Sequence, residues 1–120
     1  MRWIRWTTRL SLYHRDGFRC VWCGCAVYRG RGHRVATLDH LVTRYEVGRN
    51  TTGNLATACH TCNTERGKRT LGEWLALLSR EDGEYGVLSE VITRMTHAMN
   101  GTIDRRVGRA MCRKKFGRLV

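Results

Sequence analysis

Two Cys-x-x-Cys pairs constrain the fold of this chain more than any other feature. The first pair is Cys20 and Cys23, and the second is Cys59 and Cys62. Two residues between cysteines allow both thiolates of a tight turn to reach one tetrahedral Zn²⁺, at about 2.3 Å each. Two such turns supply all four ligands of a closed shell, which is typical of a structural zinc site. The pairs therefore predict a fold in which residues distant in sequence meet around one ion.

The remaining two cysteines leave alternatives open. Cys25 is close enough in sequence to replace Cys23 as a ligand, although the tighter turn from Cys20 to Cys23 is favoured. Cys112 has no neighbouring cysteine in the sequence and is interpreted as a small core residue or as a thiol without a function. A redox dithiol is the competing interpretation of a Cys-x-x-Cys pair. The presence of two pairs favours metal binding over a redox function.

The composition is that of a small basic domain. Its 120 residues fit one compact domain, and 42% of them are hydrophobic, which argues against wholesale disorder. The 22 Lys and Arg exceed the 10 Asp and Glu, so the net charge is +12, which favours a polyanionic partner. The chain lacks the roughly 18 consecutive apolar residues of a membrane span, and its charged first residues argue against a signal peptide. We therefore expect a cytoplasmic protein.

The charge is concentrated at the two ends of the sequence. Residues 1–34 carry a net charge of +7 and residues 101–120 carry +6, whereas residues 71–100 carry −3. A single arginine is explained by a position on the solvent-exposed surface. Two blocks this rich in arginine instead favour contact with nucleic acid. We therefore expect a nucleic acid as the partner, bound with a steep salt dependence and little sequence readout. The stretch 28–34 is predicted to be a flexible basic loop.

The hydrophobic pattern predicts a small α+β fold. A short helix is expected over 8–15, where Leu10, Tyr13 and His14 share a face. The β-branched run 35–39 predicts a strand, 41–53 a loop, and 54–57 a second strand. A helix is expected to begin near Cys59 or His60 and to end near Arg66.

The rest of the chain is predicted to be helical. Thr70 and Glu73 match a capping box, and one helical face follows it at Leu71, Trp74, Leu75 and Leu78. A second helix ends at Asn100-Gly101, and its apolar stripe consists of Val87, Leu88, Val91, Ile92, Met95 and Met99. A third, weaker pattern at Ile103, Val107 and Met111 lies among arginines and is interpreted as a basic arm.

A second group of polar residues lies between and beside the cysteine pairs. Asp39 and His40 end the first predicted strand, Asn54 opens the second, and Asn63 follows Cys62. Carboxylate and amide oxygens suit a hard ion such as Mg²⁺ or Mn²⁺ and leave positions open for phosphate oxygens. A neutral imidazole can accept the proton of an attacking water. Each residue alone also has a structural explanation, as a turn, cap or core residue.

These residues occur in the order of a known family. Leu38-Asp39-His40-Leu41-Val42, then Asn54-Leu55, then Cys59-x-x-Cys62-Asn63 with Lys68-Arg69-Thr70 beyond it resemble the zinc-containing branch of the HNH endonucleases. The similarity covers roughly residues 10–74 and includes the approach to Cys20. The resemblance implies a ββα-metal core, in which two antiparallel strands and a helix surround one catalytic ion and a structural four-cysteine zinc site supports them. C-terminal helices follow this core.

The resemblance also implies a role for each matching residue. His40 would be the general base, and Asn54 would brace the loop that orients it. Asp39 and Asn63 would hold the catalytic Mg²⁺ or Mn²⁺. The cysteines at positions 20, 23, 59 and 62 would hold the structural Zn²⁺, and Lys68, Arg69 and Arg44 would contact DNA phosphates. Adjacent strand residues point to opposite faces, so we expect the strand to end or distort at Asp39-His40.

The resulting hypothesis is a metal-dependent DNA endonuclease. Residues 1–17 would form a basic N-terminal helix or arm, 18–74 the nuclease core, and 75–120 a helical extension with a basic end. One metal per domain predicts nicking, so a double-strand cut requires a dimer or two successive cuts. The alternative is a zinc-stabilised DNA-binding module that does no chemistry. A third interpretation is a structural adaptor with a phage packaging partner, and a phage or mobile-element origin suits this compact chain.

Overall fold

A computed structural model describes residues 4–43, 50–82 and 85–113. Within these ranges the chain forms five α-helices and one two-stranded antiparallel sheet, so the small α+β class is confirmed. In chain order the elements are α1 (Trp6–Arg15), β1 (Ala36–His40), a 3₁₀ turn (Thr52–Asn54), β2 (Leu55–Cys59), α2 (His60–Arg66), α3 (Leu71–Asp82), α4 (Tyr85–Asn100) and α5 (Arg105–Arg113). None of the helices in the described ranges is long and apolar enough to cross a membrane.

The two strands pair along their whole length. Ala36 lies opposite Cys59 and His40 lies opposite Leu55, and both strands begin one residue later than the sequence predicted. Strand β1 ends at His40, as expected. All five residues of β2 are buried because elements cover both faces of the sheet, which explains the small and apolar sequence of this strand.

One face of the sheet packs against α1. Leu10, Leu12 and Tyr13 are fully buried and form a cluster with Leu38 and Leu55 of the two strands. The prediction that His14 shares the buried face is wrong, because the His14 side chain is exposed. Helix α1 therefore belongs to the core of the protein.

Helix α5 lies along α1 instead of extending as a basic arm. Ile103 and Met111 pack against the cluster that contains Leu10 and Tyr13. Gly108 is buried at the contact, where a Cβ atom would overlap the Ser11 hydroxyl and the Thr7 carbonyl. The Ser11 hydroxyl donates to that carbonyl at 2.9 Å, which holds it close to its own helix. The absence of a side chain at position 108 thus sets the distance between the two helices.

The other face of the sheet packs against the cysteine turns, α2, α3 and α4. Trp74, Val91 and Met95 are buried there. The capping box is confirmed, since Thr70 N donates to Glu73 Oε1 at 3.0 Å and Glu73 N donates to Thr70 Oγ1 at 3.1 Å. The predicted stripe on α4 is too wide, because Ile92 is 47% and Met99 52% exposed.

Candidate zinc and catalytic site

The four paired cysteines meet between the N-terminal turn and the start of α2. Their sulfur atoms all lie within 4.8 Å of one another. Cys23 N contacts Cys20 Sγ at 3.5 Å, and Cys62 N contacts Cys59 Sγ at 3.4 Å, so each pair is closed by the same type of turn. Cys59 is both the last residue of β2 and the N-cap of α2. One ion at this point would join the loop, the sheet and the helix.

The chemistry of this cluster suits zinc. Cys20, Cys59 and Cys62 are buried, whereas Cys23 is exposed. A hydrogen bond with Cys20, followed by burial, raises the pKa of the Cys23 thiol to about 12. Metal ligation by a cysteine requires the thiolate, so binding of a dication would release the Cys23 proton. Four cysteine thiolates that can surround one ion tetrahedrally are a ligand set that Zn²⁺ prefers.

The two remaining cysteines lie outside this set of four. Cys25 is half-buried, and burial followed by a hydrogen bond with Cys23 raises the pKa of its thiol to about 12. The sulfur atoms that lie within 4.8 Å of one another include that of Cys23 and not that of Cys25, which favours Cys23 as the ligand. Cys112 is exposed on α5, so the interpretation of Cys112 as a core residue is wrong.

Asp39 is buried in a polar network next to this cluster. Trp22 Nε1 donates to Asp39 Oδ2 at 2.8 Å, and Arg66 Nη1 lies 3.1 Å from the same oxygen. Asp39 is only 7% exposed. Since both contacts involve Oδ2, the second carboxylate oxygen remains available to a ligand.

Arg66 connects Asp39 to the end of β1. Its guanidinium is buried and donates to the carbonyl oxygens of His40, at 2.8 Å, and Leu41, at 2.7 Å. Its Cζ atom also lies 5.3 Å from the centre of the Trp22 ring. The ion pair and the two carbonyl bonds compensate the cost of burying this charge. Sequence reasoning missed Arg66 and Trp22, although Arg66 follows Asn63 by one helical turn and so shares its face.

His40 lies at the end of β1 and contacts Asn50. The His40 Nε2 atom forms a hydrogen bond with Asn50 Oδ1. An amide oxygen can only accept, so this contact requires a hydrogen on Nε2, and in the neutral ring with that tautomer the lone pair is on Nδ1. Sequence reasoning also missed Asn50, because nothing in the spacing of a loop residue indicates that it reaches His40.

Asn54 joins the two ends of the loop between the strands. Val42 N donates to its Oδ1 at 2.8 Å, and its Nδ2 donates to Val42 O at 3.1 Å. In addition, Leu41 N donates to the Asn54 carbonyl at 2.8 Å. These bonds fix the backbone directly after His40.

Asn63 contacts β1 through the donor side of its amide. Its Nδ2 donates to Thr37 Oγ1 at 3.0 Å and to Leu38 O at 3.2 Å. The Thr37 hydroxyl in turn donates to Ala58 O at 2.8 Å, so it can only accept from Asn63. This arrangement orients the amide and leaves its carbonyl oxygen for a cation.

Asp39 and His40 thus end β1, and Asn63 contacts the same strand from α2. Within the described ranges no hydrogen bond joins the side chains of Asp39, His40 and Asn63, since Asp39 contacts Arg66 and His40 contacts Asn50. A carboxylate oxygen and an amide oxygen that accept no hydrogen bond from the described residues are a donor pair that fits Mg²⁺ or Mn²⁺. Their chemistry therefore fits the ion that the sequence suggested.

The predicted DNA-contacting residues lie at and beyond the end of α2. Lys68 and Arg69 are exposed, and the Arg69 guanidinium donates to the carbonyl oxygens of Glu65 and Arg66. Arg44 lies outside the described residues.

Comparison with protein families matches residues 20–69 to the family described as HNH endonuclease. The match includes both cysteine pairs and the four polar residues Asp39, His40, Asn54 and Asn63. It excludes α1, α3, α4 and α5. Comparisons with curated proteins and with solved structures gave no match.

Proposed function

We propose that this chain is a metal-dependent DNA endonuclease that hydrolyses phosphodiester bonds, because its residues 20–69 match the HNH endonuclease family. The observation that carries the proposal is the position of the matching residues on adjoining elements. Asp39 and His40 are the last two residues of β1, and the Asn63 amide on α2 donates to Thr37 and Leu38 of the same strand.

His40 acts as the general base. Its Nε2 is engaged by Asn50, so Nδ1 is the atom that accepts a proton from water. Asn54 and Arg66 act as positioning residues, because together they hold the backbone of residues 40–42. Fixing this backbone holds the imidazole in the position from which it would accept the proton of the attacking water.

Asp39 and Asn63 are the residues that would hold Mg²⁺ or Mn²⁺. When bound, such an ion neutralises the charge that develops on the phosphorane and on the departing 3′ oxygen. Arg66 keeps Asp39 Oδ2 engaged, so Oδ1 is the oxygen that would bind the ion. The four-cysteine cluster would hold the structural Zn²⁺ that fixes α2, and with it Asn63, against the sheet.

A second candidate function is favoured by the contacts of Asp39. Its carboxylate is buried and paired with Arg66, as expected of a residue that stabilises the fold. A zinc-stabilised DNA-binding module would retain this pair, the cysteine cluster and the basic surface without using His40. The two functions differ only in whether DNA is cut.

Incubation with supercoiled plasmid distinguishes the two functions. We expect the protein to nick or linearise the plasmid with Mg²⁺ or Mn²⁺ but not with EDTA, and His40→Ala to abolish the cut. His14→Ala, which removes an exposed histidine from α1, is the matched control and retains activity. Intact plasmid with every divalent ion, while the protein still binds DNA, establishes the non-catalytic module.

A further inference from the structure

A cleft lined by arginine lies between the start of α1 and α5, outside the family match. It has a volume of about 390 Å³ and is lined by Arg5, Thr7, Thr8, Arg105 and Arg109. Arg105 Nη1 donates to Thr8 Oγ1 at 3.1 Å, which joins the two walls. Helices α1 and α5, which come from the two basic ends of the sequence, therefore form one surface within the described residues.

The basic loop between the cysteine turn and β1 extends this surface. The Arg29 guanidinium lies 4.8 Å from the centre of the Trp6 ring, next to Arg5 in sequence. Arginines from three separate segments of the chain thus converge around the start of α1. Since the folded state brings these charges together against their repulsion, their clustering indicates a partner of opposite charge.

Few acidic groups offset this charge. Among the described residues of α1, the loop 28–34 and α5 with its lead-in 101–104, Asp104 is the one carboxylate. It accepts from Arg106 N at 2.9 Å, and its side chain contacts the Arg106 guanidinium at 3.5 Å. Arg105 and Arg109 are exposed and have no acidic partner among the described residues.

The basic surface is formed by two closely packed helices. Gly108 seats α5 closely on α1, so the guanidinium groups of Arg105 and Arg109 lie on a packed helix. Guanidinium forks and threonine hydroxyls are the side chains that bind phosphate oxygens without reading bases. The cleft thus has the chemistry and the support of a backbone-binding site.

We propose that the cleft between α1 and α5 binds the phosphodiester backbone of duplex DNA. The inference rests on the proposed function only in naming DNA as the polyanion. It places a DNA contact outside the HNH domain, on the helices that the chain adds to it. This contact holds the duplex through phosphates and independently of sequence.

The salt dependence of binding tests this proposal. Binding of a labelled duplex is measured by fluorescence anisotropy in EDTA, so that no DNA is cut. Arg109→Gln is expected to weaken binding and to reduce the slope of log K against log salt by about 0.9, and Arg105→Gln with Arg109→Gln by about 1.8. Arg80→Gln removes one exposed helical charge from α3 and is the matched control, with unchanged slope. Equal melting temperatures establish that the variants are folded.

Each outcome separates this inference from the proposed function. If the arginine variants bind with the affinity and slope of Arg80→Gln, the cleft is not a DNA site, even when His40-dependent cutting is intact. If the slopes fall as expected but no divalent ion supports cutting, the cleft stands and the nuclease proposal fails. If double-stranded RNA of the same sequence displaces the labelled duplex at lower concentration than DNA does, the assignment to DNA is overturned.

Discussion

The two faces of the β1–β2 sheet are stabilised by different means. On the face toward α2, a cluster of four cysteines lies beside a buried network of Trp22, Asp39 and Arg66. On the face toward α1, the contacts are apolar side chains, the close approach of α5 at Gly108, and a buried Arg15–Asp16 ion pair that bonds to β2. Both faces thus contain a buried ion pair, and among the described residues only the face toward α2 has a cysteine cluster that could hold a metal ion.

This difference suggests that the two faces have separate roles, one in cutting the substrate and the other in binding it. On the α2 face, the cysteine pairs and the network of Trp22, Asp39 and Arg66 fall within the residues that match the HNH family. The helices α1 and α5 lie outside that match and face the solvent with arginines. We infer that the first face does the chemistry and that the second adds affinity for the substrate. Substitutions on each face test whether the α2 face does the chemistry and the α1 face adds affinity for DNA.

Loss of zinc is expected to have the largest effect. Cys59→Ser removes a ligand at the junction of β2 and α2, and structural zinc sites contribute on the order of 10 kcal/mol to folding. We expect loss of zinc and of the cooperative thermal transition, measured by metal analysis and circular dichroism. Cys112→Ser removes an exposed thiol and should leave both unchanged. A Cys59→Ser protein with wild-type melting would show that the α2 face needs no metal.

Removal of Arg66 should cause the next largest effect. Arg66→Met leaves Asp39 buried without its cation, which costs about 3–5 kcal/mol in comparable sites. Urea unfolding should show this loss, and plasmid cutting should fall further than stability alone explains. Arg69→Met, one turn beyond on the surface, is the control and should change stability little. Equal stability of the two variants would contradict the account of the buried network.

The α1 face is tested by filling its closest contact. Gly108→Ala forces a Cβ atom into the Ser11 hydroxyl and the Thr7 carbonyl, and overpacking costs typically about 1–3 kcal/mol. Gly72→Ala in α3 is the control, because its Cβ meets open space and alanine favours a helix. Denaturant unfolding should show that Gly108→Ala lowers the free energy of unfolding and that Gly72→Ala raises it. Retained zinc in Gly108→Ala would sharpen the comparison, whereas zinc loss would show that the faces are coupled.

The smallest effect is expected at the start of α3. Thr70→Ala removes the cap that accepts from Glu73 N and should cost about 1 kcal/mol. Thr96→Ala, an exposed threonine within α4, is the comparison and should cost less. Thermal unfolding followed by circular dichroism measures both. Equal stability of the Thr70→Ala and Thr96→Ala proteins would show that the capping box does not stabilise α3.

The predictions that the structure confirmed depend on local spacing. The cysteine turns, the capping box and the start of α2 follow from residues within four positions of one another. Contacts such as Trp22 with Asp39, or Gly108 with Ser11, depend on which elements meet in space. The extent of burial also escaped prediction: His14 and Ile92 lie on apolar stripes in sequence but face solvent, because neighbouring elements cover only part of each helix. The roles of Asp39, His40, Asn54 and Asn63 remain predictions.

The central claim is that His40 does chemistry at a site distinct from the DNA-binding surface. Single-turnover cutting of a short duplex, with protein in excess so that all DNA is bound, tests it most directly. The account predicts that His40→Ala slows cutting at least about 100-fold while its affinity for DNA in EDTA stays at the wild-type value. Cutting by His40→Ala at the wild-type rate, or no cutting by the wild type with any divalent ion, would contradict it.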